Sequence, residues 1–302
     1  MKPIFSFLLL LGTMVNLHAQ EWMIARPTVF FYKMPATSGE STGMPDIGTR
    51  VRVVEKSKNG KFLKVSQDKG ITGWVTTAQL ISIDKLSPKV ASLAVIRAYM
   101  SNPHEGGEEN AEVEKWVKNL KSDKTLTITE QVELELYRLL IIQRIARTIQ
   151  PDSNEWKTWI ARRNDLLYNT DFGNAGYFLK AEYLWKLESS LAANEPLKER
   201  IAYEAGKLET GGECEGYWVC VLERAMSKAG EYLKRHPKGK NAPVVVQSLQ
   251  EEFQNMDTDE IKNMDAGDQK IAKKLATEWK AVLAKAADSP AKKQLLIIFN
   301  KV

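Results

Sequence analysis

"NGKFLKVSQDKGITGWV", residues 59–75, alternates apolar and polar side chains between turn signals, whereas most of the chain after it reads as helix after helix. Leu63 and Val65 fall on one face of a strand, and Val51 and Val53 do the same in the preceding "TRVRVVE". Alternation with a period of two marks half-buried strands. Hairpins close where the turn residues sit, at Asn59-Gly60 and at Asp68-Lys69-Gly70. Gly73 before Trp74 supplies a flexible backbone that lets the strand bend and the indole fold inward. Short strands and tight turns over about 60 residues predict a small all-β barrel, residues 21–86.

Upstream, "MKPIFSFLLLLGTMVNLHAQ" places one positive charge at Lys2 before an apolar run from Ile4 to Leu11 that only Ser6 interrupts, and then a polar stretch reaching the small residue Ala19. That is the layout of a secretory signal peptide, residues 1–19, too short in its apolar part to span a bilayer. The first cysteine is Cys214, so no lipid-anchoring cysteine follows the expected cleavage point. The mature chain is expected in the periplasm or secreted, with no integral membrane span, since no later apolar stretch approaches the ~20 residues a spanning helix needs. A hydrophobic share of 43% and a charged share of 27% favour a globular chain over a disordered one. The net charge of +5 is spread along the sequence, which does not point to a nucleic-acid partner.

Downstream, residues 87–302 carry helix punctuation. Ser87 is placed to cap a helix with Pro88 at its first position, and Thr127 with Glu130 has the spacing of a capping box. Val113, Trp116, Val117 and Leu120 form one amphipathic stripe, while "TEQVELELYRLLIIQRIARTI" is apolar nearly all round at its centre and predicts a buried helix. Further helices are expected from Ser153 to about Leu167, from Ala175 to Leu191, from Pro196 to Leu208 and from Tyr217 to Lys234. Three more follow, one near Pro243, one over "QKIAKKLATEWKAVLAKAA" and one from Ser289-Pro290. Short connections marked by Pro or Gly imply antiparallel neighbours, in a helical-hairpin array or an irregular bundle.

The two cysteines lie in "CEGYWVC". On a continuous helix Cys214 and Cys220 would stand about 9 Å apart along the axis, beyond the reach of a disulfide, so a bridge requires a turn at "ECEG". The glycines of "TGGECEG" allow one, with the helix beginning around Tyr217. A structural disulfide is the favoured reading over free buried thiols. Tetrahedral zinc would lack ligands here, so neither a metal nor another cofactor is expected.

Catalytic constellations are thin. His104 sits in "HEGGE", where Gly106 and Gly107 break any helix and no second histidine follows four residues on, and His236 lies in "RHP", where a helix ends. Glu108, Glu109 and Glu112 are the nearest candidates for a general acid, although acidic residues at a helix start ordinarily serve the helix dipole. Trp116, Trp156, Trp159, Trp185, Trp218 and Trp279 would either line a groove or pack between helices.

Residues 48–80, "GTRVRVVEKSKNGKFLKVSQDKGITGWVTTAQL", resemble the bacterial SH3-like domain of exported proteins. Gly48, Phe62, Val65, Gly70, Gly73, Trp74, Val75 and Leu80 carry the likeness. Phe62 stands where many members have Trp, and the polar "MPATSGESTGMPD" replaces the usual first-strand sequence, leaving "TVFFYK" as strand one. Likewise "AGEYLKRHPKGKNAPVVVQSLQEEF", residues 229–253, resembles one unit of tetratricopeptide-like envelope proteins, without a recurring period. The first resemblance implies a non-catalytic module that binds peptidoglycan peptides or partner proteins. Phe31, Tyr32, Phe62 and Trp74 are its candidate contact residues, with Trp74 read alternatively as core. The expected function is therefore binding or scaffolding in the cell envelope. The alternative is a peptidoglycan hydrolase with a catalytic Glu in the helical region.

Overall fold

The computed structural model describes residues 20–68, 70–103, 106–149, 153–170, 176–193 and 195–302. The expected leader and His104 lie outside the described residues. The chain divides into two compact units, the first ending at Pro103.

The first unit contains β1 (Glu21–Ile24), β2 (Phe31–Tyr32), β3 (Ser41–Gly43), β4 (Arg50–Lys56), β5 (Phe62–Ser66), β6 (Thr72–Thr76), β7 (Leu80–Ser82) and α1 (Pro88–Ser101). The strands form one antiparallel sheet in the order β3-β2-β6-β5-β4-β1-β7. No pairing joins β3 to β7, so the sheet is open where the sequence pattern predicted a barrel. Its far edge is made of strands of two and three residues, which offer too few backbone groups to carry the ladder further round. Asn59-Gly60 closes β4 onto β5 as expected: Gly60 takes φ +68° and Asn59 Oδ1 accepts from the Lys61 N–H at 3.0 Å. The alternation reads through to the packing. Val51, Leu63, Val65 and Val75 fill the core with Ile24, Val29, Phe31 and Leu80, whereas Val53, next to a register shift in β4, is only half buried.

Gly73 has a sharper role than strand bending. A β-carbon built there would lie 2.5 Å from Phe31 Cβ and 3.0 Å from the Phe31 carbonyl carbon, so only glycine lets β2 close on β6. Helix α1 begins as its punctuation indicates, with Ser87 Oγ accepting from the Val90 N–H, and it contacts β1 and β7 within this unit. Arg26 donates to the Asn102 carbonyl just past the helix end and lies 5.7 Å from the Tyr99 ring centre.

The second unit holds α2 (Gly107–Leu120), α3 (Ile128–Thr148), α4 (Asn154–Ala161), β8 (Leu167–Thr170), β9 (Gly176–Leu179), α5 (Ala181–Ser189) and α6 (Pro196–Lys207). It continues with α7 (Trp218–Ala225), a π turn (Met226–Gly230), α8 (Glu231–Arg235), α9 (Ala242–Phe253), α10 (Thr258–Lys262), α11 (Ala266–Lys285) and α12 (Pro290–Phe299). It is not all-α. The β8–β9 hairpin replaces the end of one expected helix and the start of the next. Its strands are rich in aromatic side chains that suit a pleated surface, and Tyr168 stacks on Phe178 at 5.6 Å. Helix α3 is largely buried from Val132 to Ala146, as the apolar centre of its sequence predicts, and the Thr127–Glu130 capping box forms at its start.

Helix α9 packs on α12 and α11 on α7, so chain neighbours are not the only spatial neighbours. One core gathers Tyr232, Phe253, Trp279 and Phe299, with the Trp279 and Phe299 rings stacked at 5.8 Å. Another joins α3 to the hairpin, α5 and α6. Cys214 and Cys220 are bonded with their α-carbons 5.5 Å apart. The turn that permits this runs through Glu215 and Gly216, both at positive φ, and the Tyr217 N–H donates to the Cys214 carbonyl. Among the described residues no helix is long and apolar enough to cross a membrane.

Candidate functional site

In an antiparallel sheet, directly opposed residues point to the same face. Tyr32 is opposite Trp74, and Trp74 is opposite Lys64, while Val65 and Val75, one step along, point to the core. Phe62, two residues before Lys64, shares that outer face. The four expected contact residues therefore separate. Tyr32, Phe62 and Trp74 lie together on the outer face, whereas Phe31 points the other way and is 0% exposed in the core, rather than at the surface. Trp74 is itself 8% exposed, leaving Tyr32 and Phe62 as the half-exposed members of the group. Phe30 extends the aromatic row: its ring lies 6.2 Å from that of Tyr32 and the residue is 37% exposed. Sequence reasoning passed over Phe30, although its position two residues before Tyr32 carried the signal.

The second unit has a cleft of about 280 Å³ between α6, the α7 to α8 segment and α9. Two glycines shape it. A β-carbon at Gly206 would lie 3.2 Å from Tyr232 Cβ and 3.4 Å from the Lys228 carbonyl oxygen, so α6 approaches the π turn closely. A β-carbon at Gly230 would lie 2.6 Å from Met226 Sδ and 3.3 Å from Trp279, so the other side of the turn rests on the core. A π turn inserts one extra residue into a helix, and such insertions recur at functional sites. Arg224, near the end of α7, and Lys228, within the π turn, both line the cleft. Burial pushes the Lys228 amine below its ordinary value, and Arg224 adds to this, against the opposing pull of Glu252 and Glu209. Glu252 is solvent-accessible at the rim, yet the protein crowding it raises its carboxyl, against the pull of Lys228 and Arg224.

A neighbouring groove, lined by Gln143, Arg144, Arg147 and Glu209 among others, shares Lys207 with this cleft. Gln143 Oε1 accepts from the Leu179 N–H at 2.5 Å, which fixes the amide's orientation and leaves its buried Nε2 without a partner among the described residues. Arg147 is engaged with Glu209 at 2.9 Å and lies 4.4 Å from the Phe178 ring centre.

The remaining candidates have structural surroundings. Glu108 and Glu109 lie in the first turn of α2, with the Glu109 carboxylate folded against Gly106, and Glu112 follows in the same helix. His236 ends α8, where its Nε2 stands 3.1 Å from Glu188 Oε1. Buried Glu188 also accepts from Arg235 at 2.9 Å and faces Lys198 at 3.6 Å, so it ties α5, α6 and α8 together. The tryptophans do not line one groove: Trp279 is core, Trp156 and Trp159 meet edge to face on α4, and Trp185 and Trp218 pack against core clusters. Among the described residues no group of three or more His, Cys, Asp or Glu side chains is arranged to hold a metal ion.

No protein-family model matches the chain, and neither a curated protein nor a solved structure gives a significant match.

Proposed function

We propose that this is an exported, non-catalytic cell-envelope binding protein. In this reading the first unit is an SH3-like module taking peptide ligands, from a partner protein or from peptidoglycan, and the second is a tetratricopeptide-like helical scaffold. The carrying observation is the outer-face row of Phe30, Tyr32 and Phe62, with Trp74 beside it. Aromatic side chains offer large contact area at small entropic cost, and those of Phe30, Tyr32 and Phe62 keep part of that area open to solvent. The disulfide accords with an oxidising compartment.

The test is cosedimentation of the full chain with purified murein sacculi, alongside the Tyr32→Ala/Phe62→Ala double variant. Retention is expected for the parent chain and a loss of about ten-fold for the variant, the scale of one anchor residue. Equal retention of the two proteins, or none of either, would overturn the murein arm; a partner from envelope extract that is lost with the same variant would assign the face to protein. A clearing band in a peptidoglycan zymogram, abolished by a Glu→Gln substitution, would replace this reading with hydrolysis.

A further inference from the structure

We propose that the cleft between α6, the π turn and α9 binds the free carboxylate end of a peptide whose last residue is apolar. This site lies in the second unit and does not rest on the role proposed for the sheet.

Charge complementarity indicates the anion. Lys207, Arg224 and Lys228 reach the cleft against one acidic residue, Glu252. Lys207 is already engaged, 3.6 Å from Glu204 and 4.6 Å from the Tyr203 ring centre. Among the described residues Arg224 makes one long hydrogen bond, 3.4 Å, to the Gly212 carbonyl. The Lys228 ammonium makes no hydrogen bond or ion pair among the described residues, although it is only partly exposed. Two under-partnered cations four residues apart on one wall of the cleft are arranged to share a carboxylate. Burial disfavours the Lys228 charge, so a carboxylate seated beside it gains by adding to the counter-charge that Glu252 and Glu209 supply only in part.

The rest of the wall indicates what the carboxylate is attached to. Ala225, Ala229, Val245 and Leu249 present apolar surface, while Tyr203 and Ser248 bring hydroxyl groups that can meet a peptide amide. A volume of about 280 Å³ accepts one or two residues. That is below the room a drug-sized ligand ordinarily fills.

The probes are N-acetyl-alanyl-leucine and its C-terminal amide, titrated into the ¹⁵N-labelled full chain. The acid should shift the amides of Gly206, Ala229 and Ser248 saturably, and the amide should bind about ten-fold more weakly, the scale of one charge-assisted hydrogen bond. Lys228→Gln should abolish the preference for the acid. Glu252→Gln, which removes the opposing carboxylate, should tighten acid binding, and it serves as the deciding variant should Lys228→Gln fail to fold. Equal binding of acid and amide, no saturable shift at millimolar peptide, or shifts confined to Tyr32 and Phe62 would each overturn the assignment. The last outcome would instead support the sheet as the peptide site.

Discussion

Gly73 shows how much one missing methyl group decides. Its neighbours Leu63, Val65 and Val75 could tolerate exchange among apolar side chains, but an added β-carbon at Gly73 meets both side chain and backbone of Phe31. Gly73→Ala should therefore cost about 1–3 kcal/mol, as overpacking does, read as a lower denaturation midpoint for the sheet unit. Glu199 makes a different kind of point. Burial alone would raise its carboxyl, yet hydrogen bonds from the Tyr232 hydroxyl at 2.6 Å and from the Asn241 N–H and side chain hold it below the ordinary range. A carboxyl depressed on folding contributes stability at pH values above its unfolded range, and loses that contribution as pH falls through the folded value. The second unit should accordingly weaken on acidification below the ordinary glutamate range, and Glu199→Gln should flatten that slope in pH-dependent unfolding curves. The same carboxylate explains Gly239, where a β-carbon would lie 2.9 Å from Glu199 Oε1.

Among the elements, the disulfide and the π turn sit at opposite ends of α7. Cys214 lies in the turn before α7 and Cys220 in its first turns, so the bridge pins the helix start. Closing so short a loop removes about 2 kcal/mol of unfolded-chain entropy. The Cys214→Ser/Cys220→Ser variant should lose about that amount in chemical denaturation, while the sheet unit's transition stays in place. At the other end of α7, the π turn keeps the chain helical through Gly230 and carries it into α8, although a regular α-helix there would have one residue fewer in the turn. The β8–β9 hairpin is the element least visible to periodicity. Leu167, Phe178 and Leu179 are buried in the hairpin, but apolar runs as short as theirs fit a helix or a strand equally well. What selects strands is Tyr168 stacking on Phe178 across the hairpin and Gln143, 36 residues upstream on α3, accepting from the Leu179 N–H.

For the whole molecule, the first unit includes α1, whose Leu93, Val95, Ile96 and Tyr99 are buried. A fragment of residues 20–103 should unfold cooperatively, whereas a fragment of residues 20–86 should melt at least about 10 °C lower or lose its transition, since a single kcal/mol moves a domain of this size by several degrees. Calorimetry of the two fragments checks this. Local chemistry made much of the architecture readable in advance. The alternation around Leu63 and Val65, the Asn59-Gly60 turn, the capping pair Thr127 and Glu130 and the glycines near Cys214 each act through neighbours in the chain, so the residues themselves announce strand, turn, helix start and bridge. The open edge between β3 and β7, the burial of Phe31 as against the outward course of Tyr32, the hairpin within the helices and the cleft holding Arg224 and Lys228 were settled only by folding. Each depends on which distant surfaces meet, and contact energies between remote segments leave no mark on the local periodicity of either one.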